Sequence, residues 1–371
     1  MSAKHARRLT EWAELLRRRE PDLLVHDPGG PGECLVRAGQ LVVDSDFVAP
    51  AMRLLERWVA RVEPDVEAKL ATLWLRQELA ERCVEIAAQV APLLPVSANH
   101  VHLVGAPVLH GTGSVPVPCP EPMPPPLERW YLPVSVAVLD TGLDPHPWFA
   151  GRSWLAEWGL QPEVLDADHD GLADQQAGHG TFVAGVLLRH APGVTIRHRR
   201  VLTSQGVADD RTVAAALRWV RHRAANFGEH LDIVLLSAGC HTADDQCPPL
   251  LAREISRFAG AVVVAAAGNN GSTRPFWPAA LPQVLAVGAP AAFANHGPWV
   301  DAIAPGVDVV SSHVAFHPVG SGVAVDTETR EYGAAAWSGT SFAAPRVAAE
   351  LATLLHSGHS LADARRLVCH R

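Results

Sequence analysis

The chain has 371 residues, 48% of them hydrophobic, with 31 Lys and Arg against 39 Asp and Glu for a formal charge of -8. That length supports one large core and a smaller second unit, and an acidic balance without a basic block argues against a nucleic-acid partner. The longest apolar run, residues 259–267, falls far short of the roughly 20 residues a membrane-spanning helix requires, so no membrane partner is expected either.

Residues 4–19 set Leu9, Trp12, Leu15 and Leu16 at helical spacing among Arg and Glu, which predicts an amphipathic helix docked on another surface. The first 25 residues carry charge throughout and lack the apolar stretch and cleavage site of a secretory signal, which predicts a cytoplasmic location. Next, CLVRAGQLVV reads as a strand leading to Asp46, the expected N-cap of a helix bearing Met52, Leu55, Trp58, Val59 and Val62. A second helical stretch is expected from about Val66 to Val90, then a strand from His100 to Gly105. Residues 1–105 therefore read as a smaller α+β domain whose part from residue 33 runs strand, two helices, strand.

Residues 106–129 turn to Pro and Gly, which cannot sustain a helix or a central strand and mark an interdomain linker. Beyond it, runs at 134–139, 194–201, 233–237, 261–267 and 284–287 are rich in Val, Ile, Leu and Ala, as strands buried on both faces of a parallel sheet are. Between them, Val213, Leu217, Val220, Ala224 and Phe227 behind Asp209 and Asp210 have the spacing of a covering helix, as do Leu251, Ile255 and Phe258. The expected fold of residues 130–371 is α/β, mainly parallel sheet with helices on both faces. Six cysteines lack metal-ligand spacing and are expected reduced; a bridge between Cys240 and Cys247, which flank one short polar segment, is the alternative.

Three segments carry chemistry. VAVLDTGLD ends a strand in Asp140, AGHGTFVAG sets His179 ahead of an apolar helix, and SGTSFAAPRVA sets Ser341 at the start of another. In open α/β sheets, strand ends and helix N-termini converge on one crevice. A serine hydroxyl becomes nucleophilic when an imidazole takes its proton, and the imidazole needs a carboxylate to fix its tautomer. Each residue alone is a common turn or cap former. Together, with Gly178, Gly180 and Gly339 beside them, they point to nucleophilic catalysis. The helix start also directs the Ser341 backbone N–H at a developing oxyanion.

These segments resemble, in order, the Asp, His and Ser motifs of the subtilisin-like serine peptidases (subtilases). The resemblance implies a serine endopeptidase that hydrolyses polypeptides through an acyl-enzyme. In AAAGNNG it implies Asn269 as the side-chain oxyanion donor. LLSAG resembles the edge strand that pairs with substrate, which implies substrate contacts at Ser237, Ala238 and Gly239, and the pocket before the scissile bond would be lined by Ala266, Ala267 and Gly268. Leu235 departs from the family's usual Asn, and the connection from Asn269 to Trp277 is short. Residues 33–105 look loosely like the removable pro-domain of many subtilases; a fused domain that binds a regulatory protein is the competing reading.

In DADHDGLAD, Asp166, Asp168 and Asp170 with Gly171 and Asp174 match the opening of a calcium loop, but Ala177 stands where the closing Glu belongs, so a solvated acidic turn is the simpler reading and no cofactor is expected. GHGTFVAG does not fit a dinucleotide loop, and GTSFA lacks the closing Gly of an α/β-hydrolase elbow.

Overall fold

The computed structural model describes residues 3–17, 19–104, 115–317 and 329–369. The N-terminal part contains α1 (Ala3–Leu16), β1 (Leu23–His26), β2 (Cys34–Asp44), α2 (Val48–Leu55), β3 (Val59–Asp65), β4 (Leu70–Leu75), α3 (Cys83–Val90) and β5 (Val96–Leu103). As the amphipathic pattern requires, α1 buries Leu9, Trp12 and Leu16 against Leu23, Leu35, Val101 and Leu103.

Two expectations fail here. The run from Val59 to Leu75 is a hairpin, β3 on β4, rather than parts of two helices. Pro64 cannot donate a helical hydrogen bond, and the apolar run Leu70–Leu75 is consumed by pairing with β2. The order after residue 33 is thus strand, helix, two strands, helix, strand. Nor does Asp46 cap α2: Asp44 caps the short 3-10 turn before it by accepting from the Asp46 N–H at 3.0 Å, and Phe47 stands at the start of α2.

Part of the expected linker, residues 106–114, lies outside the described residues, as does residue 105 before it. Its later portion forms β6 (Val117–Cys119), a short edge strand, where proline is tolerated. The large unit follows with β7 (Ser135–Asp140), α4 (Trp154–Glu157), α5 (His179–His190), β8 (Thr195–Arg200), β9 (Val207–Asp209), α6 (Asp210–Phe227), β10 (Ile233–Leu236), α7 (Pro249–Ser256), β11 (Val262–Ala266), β12 (Val284–Gly288), β13 (Ala302–Ile303), β14 (Val309–His317), β15 (Thr329–Trp337), α8 (Thr340–His356) and α9 (Leu361–Cys369). Strands β13, β12, β11, β10, β7 and β8 make one parallel sheet in that order.

Both faces of this sheet are covered, which is why its strands are apolar throughout. Val136, Val138, Ile233 and Leu235 face Phe182 and Leu187 of α5 and Phe342 and Leu351 of α8. Ala137, Leu139, Val234 and Leu236 face Leu217 and Val220 of α6 and Leu251 and Ile255 of α7. Each such side chain contributes roughly 1.5–3 kcal/mol on burial, so this core outweighs that of the smaller N-terminal sheet.

That N-terminal sheet does not end with its own chain segment. Strand β5 pairs with β2 on one edge and with β9 of the large unit on the other, antiparallel, Val101 opposite Asp209 and Leu103 opposite Val207. Arg274 also ties the two units, donating to the Glu33 carbonyl at 2.8 Å, and Arg218 of α6 donates to the carbonyl of Ala68 and pairs with Glu254 at 2.5 Å. Two histidines of β5 close the joint. The Asp210 carboxylate, fully buried at the start of α6, accepts from the His100 N–H at 2.9 Å and contacts His100 Nδ1 and His102 Nε2 at 2.8 Å each. All six cysteines are free, so Cys240 and Cys247 do not bridge.

Candidate active site

Asp140 is the last residue of β7 and His179 the first of α5, and the fold brings them together: Asp140 Oδ1 lies 2.7 Å from His179 Nδ1 with both side chains buried. An ionised carboxylate only accepts, so Nδ1 carries the proton and Nε2 presents a lone pair. Oδ1 is also held by the Thr141 N–H at 2.8 Å. The imidazole is wedged edge-on to Trp337, with ring centroids 5.4 Å apart, and against Phe342 at 5.1 Å.

The turn before the histidine depends on two glycines. Gly178 sits at φ +81°, a left-handed conformation that a side chain disfavours, and a Cβ on Gly180 would collide with the Gly142 carbonyl. Gly178 brings no capping side chain to α5, so the donors of its first turn find partners elsewhere: the Gly180 N–H donates to Thr141 Oγ1 at 2.9 Å and the Thr181 N–H to Glu163 Oε1 at 2.9 Å.

Ser341 lies in the first turn of α8, 2% exposed. Its hydroxyl is not on His179. Oγ lies 3.1 Å from the carbonyl of Ser237 and 3.2 Å from that of Val104, and His179 Nε2 is buried without a hydrogen-bond partner. Asn269 stands beside the serine, its Oδ1 accepting from the N–H and the hydroxyl of Thr340, both at 2.9 Å. That fixes the amide and leaves Nδ2 as its donor.

The end of β5 occupies the crevice. The Leu103 N–H donates to the Gly239 carbonyl at 2.8 Å, the Gly239 N–H returns to Leu103 O at 3.1 Å, and the Val104 N–H donates to Gly206 O at 3.0 Å. Of the expected substrate contacts, Gly239 therefore meets an extended chain, whereas the Ser237 carbonyl accepts from Ser341 Oγ and Ala238 is buried between them. Ala267 and Gly268 spend their N–H groups internally, on Val287 O at 2.8 Å and Thr340 Oγ1 at 3.1 Å, and Ala266 ends β11. Sequence reasoning missed Val104, Gly206, Thr340, Thr141 and Glu163, because their roles come from tertiary approach and no local spacing marks them.

Among the described residues, two groups of side chains could hold a cation: Asp166, Asp168 and Asp174, and His102, Asp210 and Cys240. In the first, Asp174 takes the place expected of Asp170, and the Arg19 guanidinium already sits there, 2.5 Å from Asp168, 3.1 Å from Asp174 and 3.4 Å from Asp170. Both Asp166 oxygens accept backbone N–H groups, from Asp170 at 3.2 Å and Gly171 at 2.9 Å. These acids are already supplied with positive partners and fit a closed turn better than a metal cage.

A family model described as the subtilase family matches residues 133–365. The thermophilic serine proteinase of Bacillus sp. (strain AK1) is 33% identical over 251 residues, which cover 63% of this chain and 55% of that protein. Subtilisin BL of Lederbergia lenta is 32% identical over 195 residues, 48% of this chain and 66% of that protein. The solved structure of a cold adapted subtilisin-like serine proteinase aligns with 64% of this chain and 81% of its own at 24% identity, with a TM-score of 0.46. The chain thus spans between about half and two thirds of the length of these two curated relatives.

Proposed function

The chain belongs to the subtilase family, and on that premise we propose that it is a serine endopeptidase in which Ser341 is the nucleophile, His179 the general base and Asp140 its orienter. The observation that carries this reading is the buried 2.7 Å contact of Asp140 Oδ1 with His179 Nδ1, which leaves Nε2 free to take a proton in the crevice where Ser341 stands. In the reaction, Ser341 Oγ attacks the scissile carbonyl carbon as its proton passes to Nε2. The C–N bond then breaks as that proton moves to the leaving amine, and water repeats the sequence on the acyl-enzyme. Asn269 Nδ2 and the Ser341 backbone N–H are the oxyanion donors.

The N-terminal domain, residues 1–105, acts in this reading as a tethered inhibitor whose strand β5 lies where a polypeptide substrate would. The carbonyl of Val104 engages the serine hydroxyl, and Leu103 pairs with Gly239. Regulation of the domain by a partner protein is the weaker reading, because the domain already has an occupant role in the crevice.

A fluorophosphonate probe, followed by mass mapping of the labelled residue, tests the nucleophile. Label on Ser341 that is lost in His179→Ala is the expected result. Label elsewhere, or none in a chain freed of residues 1–105 by limited proteolysis, ends the reading.

A further inference from the structure

We propose that Glu163 is a positioning residue for His179, its ionised carboxylate holding the opening turn of the helix that carries the base. This deepens the peptidase reading of the same site.

The contact is built with care on both sides. Glu163 Oε1 accepts from the Thr181 N–H at 2.9 Å and from the Thr181 hydroxyl at 3.1 Å, two residues beyond His179. Its backbone is clamped in turn: the Glu163 N–H donates to Asp144 Oδ1 at 2.8 Å, and Arg330 donates to Glu163 O at 2.7 Å. Gly142 makes room, since a Cβ there would stand 2.6 Å from Glu163 Cα and 2.9 Å from Oε2. A carboxylate on the first-turn N–H groups of a helix is stabilised by the helix dipole, and it caps a helix whose own N-cap, Gly178, brings no side chain.

The same carboxyl is fully buried, and its neighbours carry charge of both signs. Asp140 and Asp144 approach from the segment ending and following β7, Arg330 pairs with Asp144 at 2.5 Å from β15, and Tyr332 faces Asp144 from the same strand. His179 lies on the helix itself, and His198 of β8 lies close enough to Asp140 to feel its charge, while Arg200 of β8 donates to the neighbouring Pro162 carbonyl at 3.2 Å. Burial pushes the Glu163 carboxyl up to about 7, opposed by the hydrogen bonds from Thr181 and Thr141, with Asp140 and Asp144 adding to the rise. The group therefore titrates in the range where the enzyme would work. Its ionised form grips Thr181 and places negative charge behind the Asp140 and His179 pair, which favours the imidazolium formed as Ser341 attacks. Acidification removes both effects at once.

Two measurements test this, the first on the full chain and the second on enzyme freed of residues 1–105 by limited proteolysis. In a Ser341→Ala background, the Thr181 amide resonance should move with a midpoint near that of Glu163, and the movement should vanish in Glu163→Gln. In active enzyme, the acid limb of kcat/KM should fall with a slope above one proton, and Glu163→Gln should reduce it to one proton while lowering kcat roughly 3- to 30-fold, as loss of a charge at a helix N-terminus does. Glu163→Asp, which keeps the charge, should restore the steeper limb. Identical pH profiles for wild type and Glu163→Gln, or a Thr181 amide that ignores pH between 5 and 9, would overturn the proposal. A wild type freed of residues 1–105 by limited proteolysis that shows no Ser341-dependent hydrolysis would instead remove the peptidase reading, and the Thr181 titration would still decide the Glu163 contact.

Discussion

The Ser341 hydroxyl oxygen lies 3.2 Å from the carbonyl of Val104, so the proposed nucleophile is engaged by the chain's own N-terminal segment. Weakening that segment should therefore expose the serine. Leu103→Pro deletes the N–H that reaches Gly239 O at 2.8 Å, one hydrogen bond, for which the expected gain in the rate of fluorophosphonate labelling of the uncut chain is roughly 2- to 10-fold. An unchanged labelling rate would show that the strand does not obstruct the site.

Asn269 offers a cleaner separation of support from catalysis. Because Oδ1 accepts both bonds from Thr340, Asn269→Asp retains these acceptor contacts, removes the donor and adds a negative charge beside the developing oxyanion. Turnover should drop by at least about 10²- to 10³-fold, the usual cost of one lost oxyanion donor, with the added charge deepening the loss. If Asn269→Asp keeps near wild-type kcat, the donor is not Nδ2.

At the joint between the domains, burial pushes the Asp210 carboxyl up but His100 and His102 more than offset it, holding the group down at about 2. A carboxyl depressed in the folded state contributes stability that is present above its ordinary value of 3.8 and lost as pH falls through about 2. Asp210→Ala leaves two buried imidazoles without their acceptor and should cost about 3 to 5 kcal/mol at pH 7 by chemical denaturation. The effect should shrink below pH 3.

Glu163 has the opposite sign. Its carboxyl is raised in the folded chain from 4.5 to about 7, so between these values only the unfolded chain releases the proton, and stability falls as pH rises. Replacing it by Gln removes that penalty. Glu163→Gln should be more stable than wild type by roughly 3 kcal/mol at pH 8 and by little at pH 4.5, as read from paired urea titrations. A variant both more stable and less active would mark the carboxylate as retained for its work at the site.

The large unit was legible because a parallel sheet covered on both faces needs continuous Val, Ile, Leu and Ala, and Asp140 closes one such strand while His179 opens a covering helix. The N-terminal domain misled at Trp58, Val59 and Val62, whose spacing suits a helix although β4 draws the chain into a hairpin with Pro64 on its edge strand. Nothing local announces Glu163, sixteen positions before the histidine it supports. The same holds for the pairing of His100 and His102 with Asp210, more than a hundred positions away. Those contacts are set by how separate layers meet.

Strand β6 and the residues after it are fastened to the large unit three times over: Val117 opposite Ala336, the Glu121 carboxylate accepting from Trp148 Nε1 at 2.7 Å, and the Pro126 carbonyl accepting from Arg152 at 2.8 Å. A protease must draw about ten residues of extended chain into its own cleft, and this stretch would have to be peeled off a sheet first. On the proposed reading of residues 1–105 as a removable inhibitor, a cut in the tether would thus fall ahead of Val117. The freed enzyme would keep β6 stitched to its sheet, so trimming by aminopeptidases would stop short of Val117 and the mass spectrum would show no species beginning beyond it.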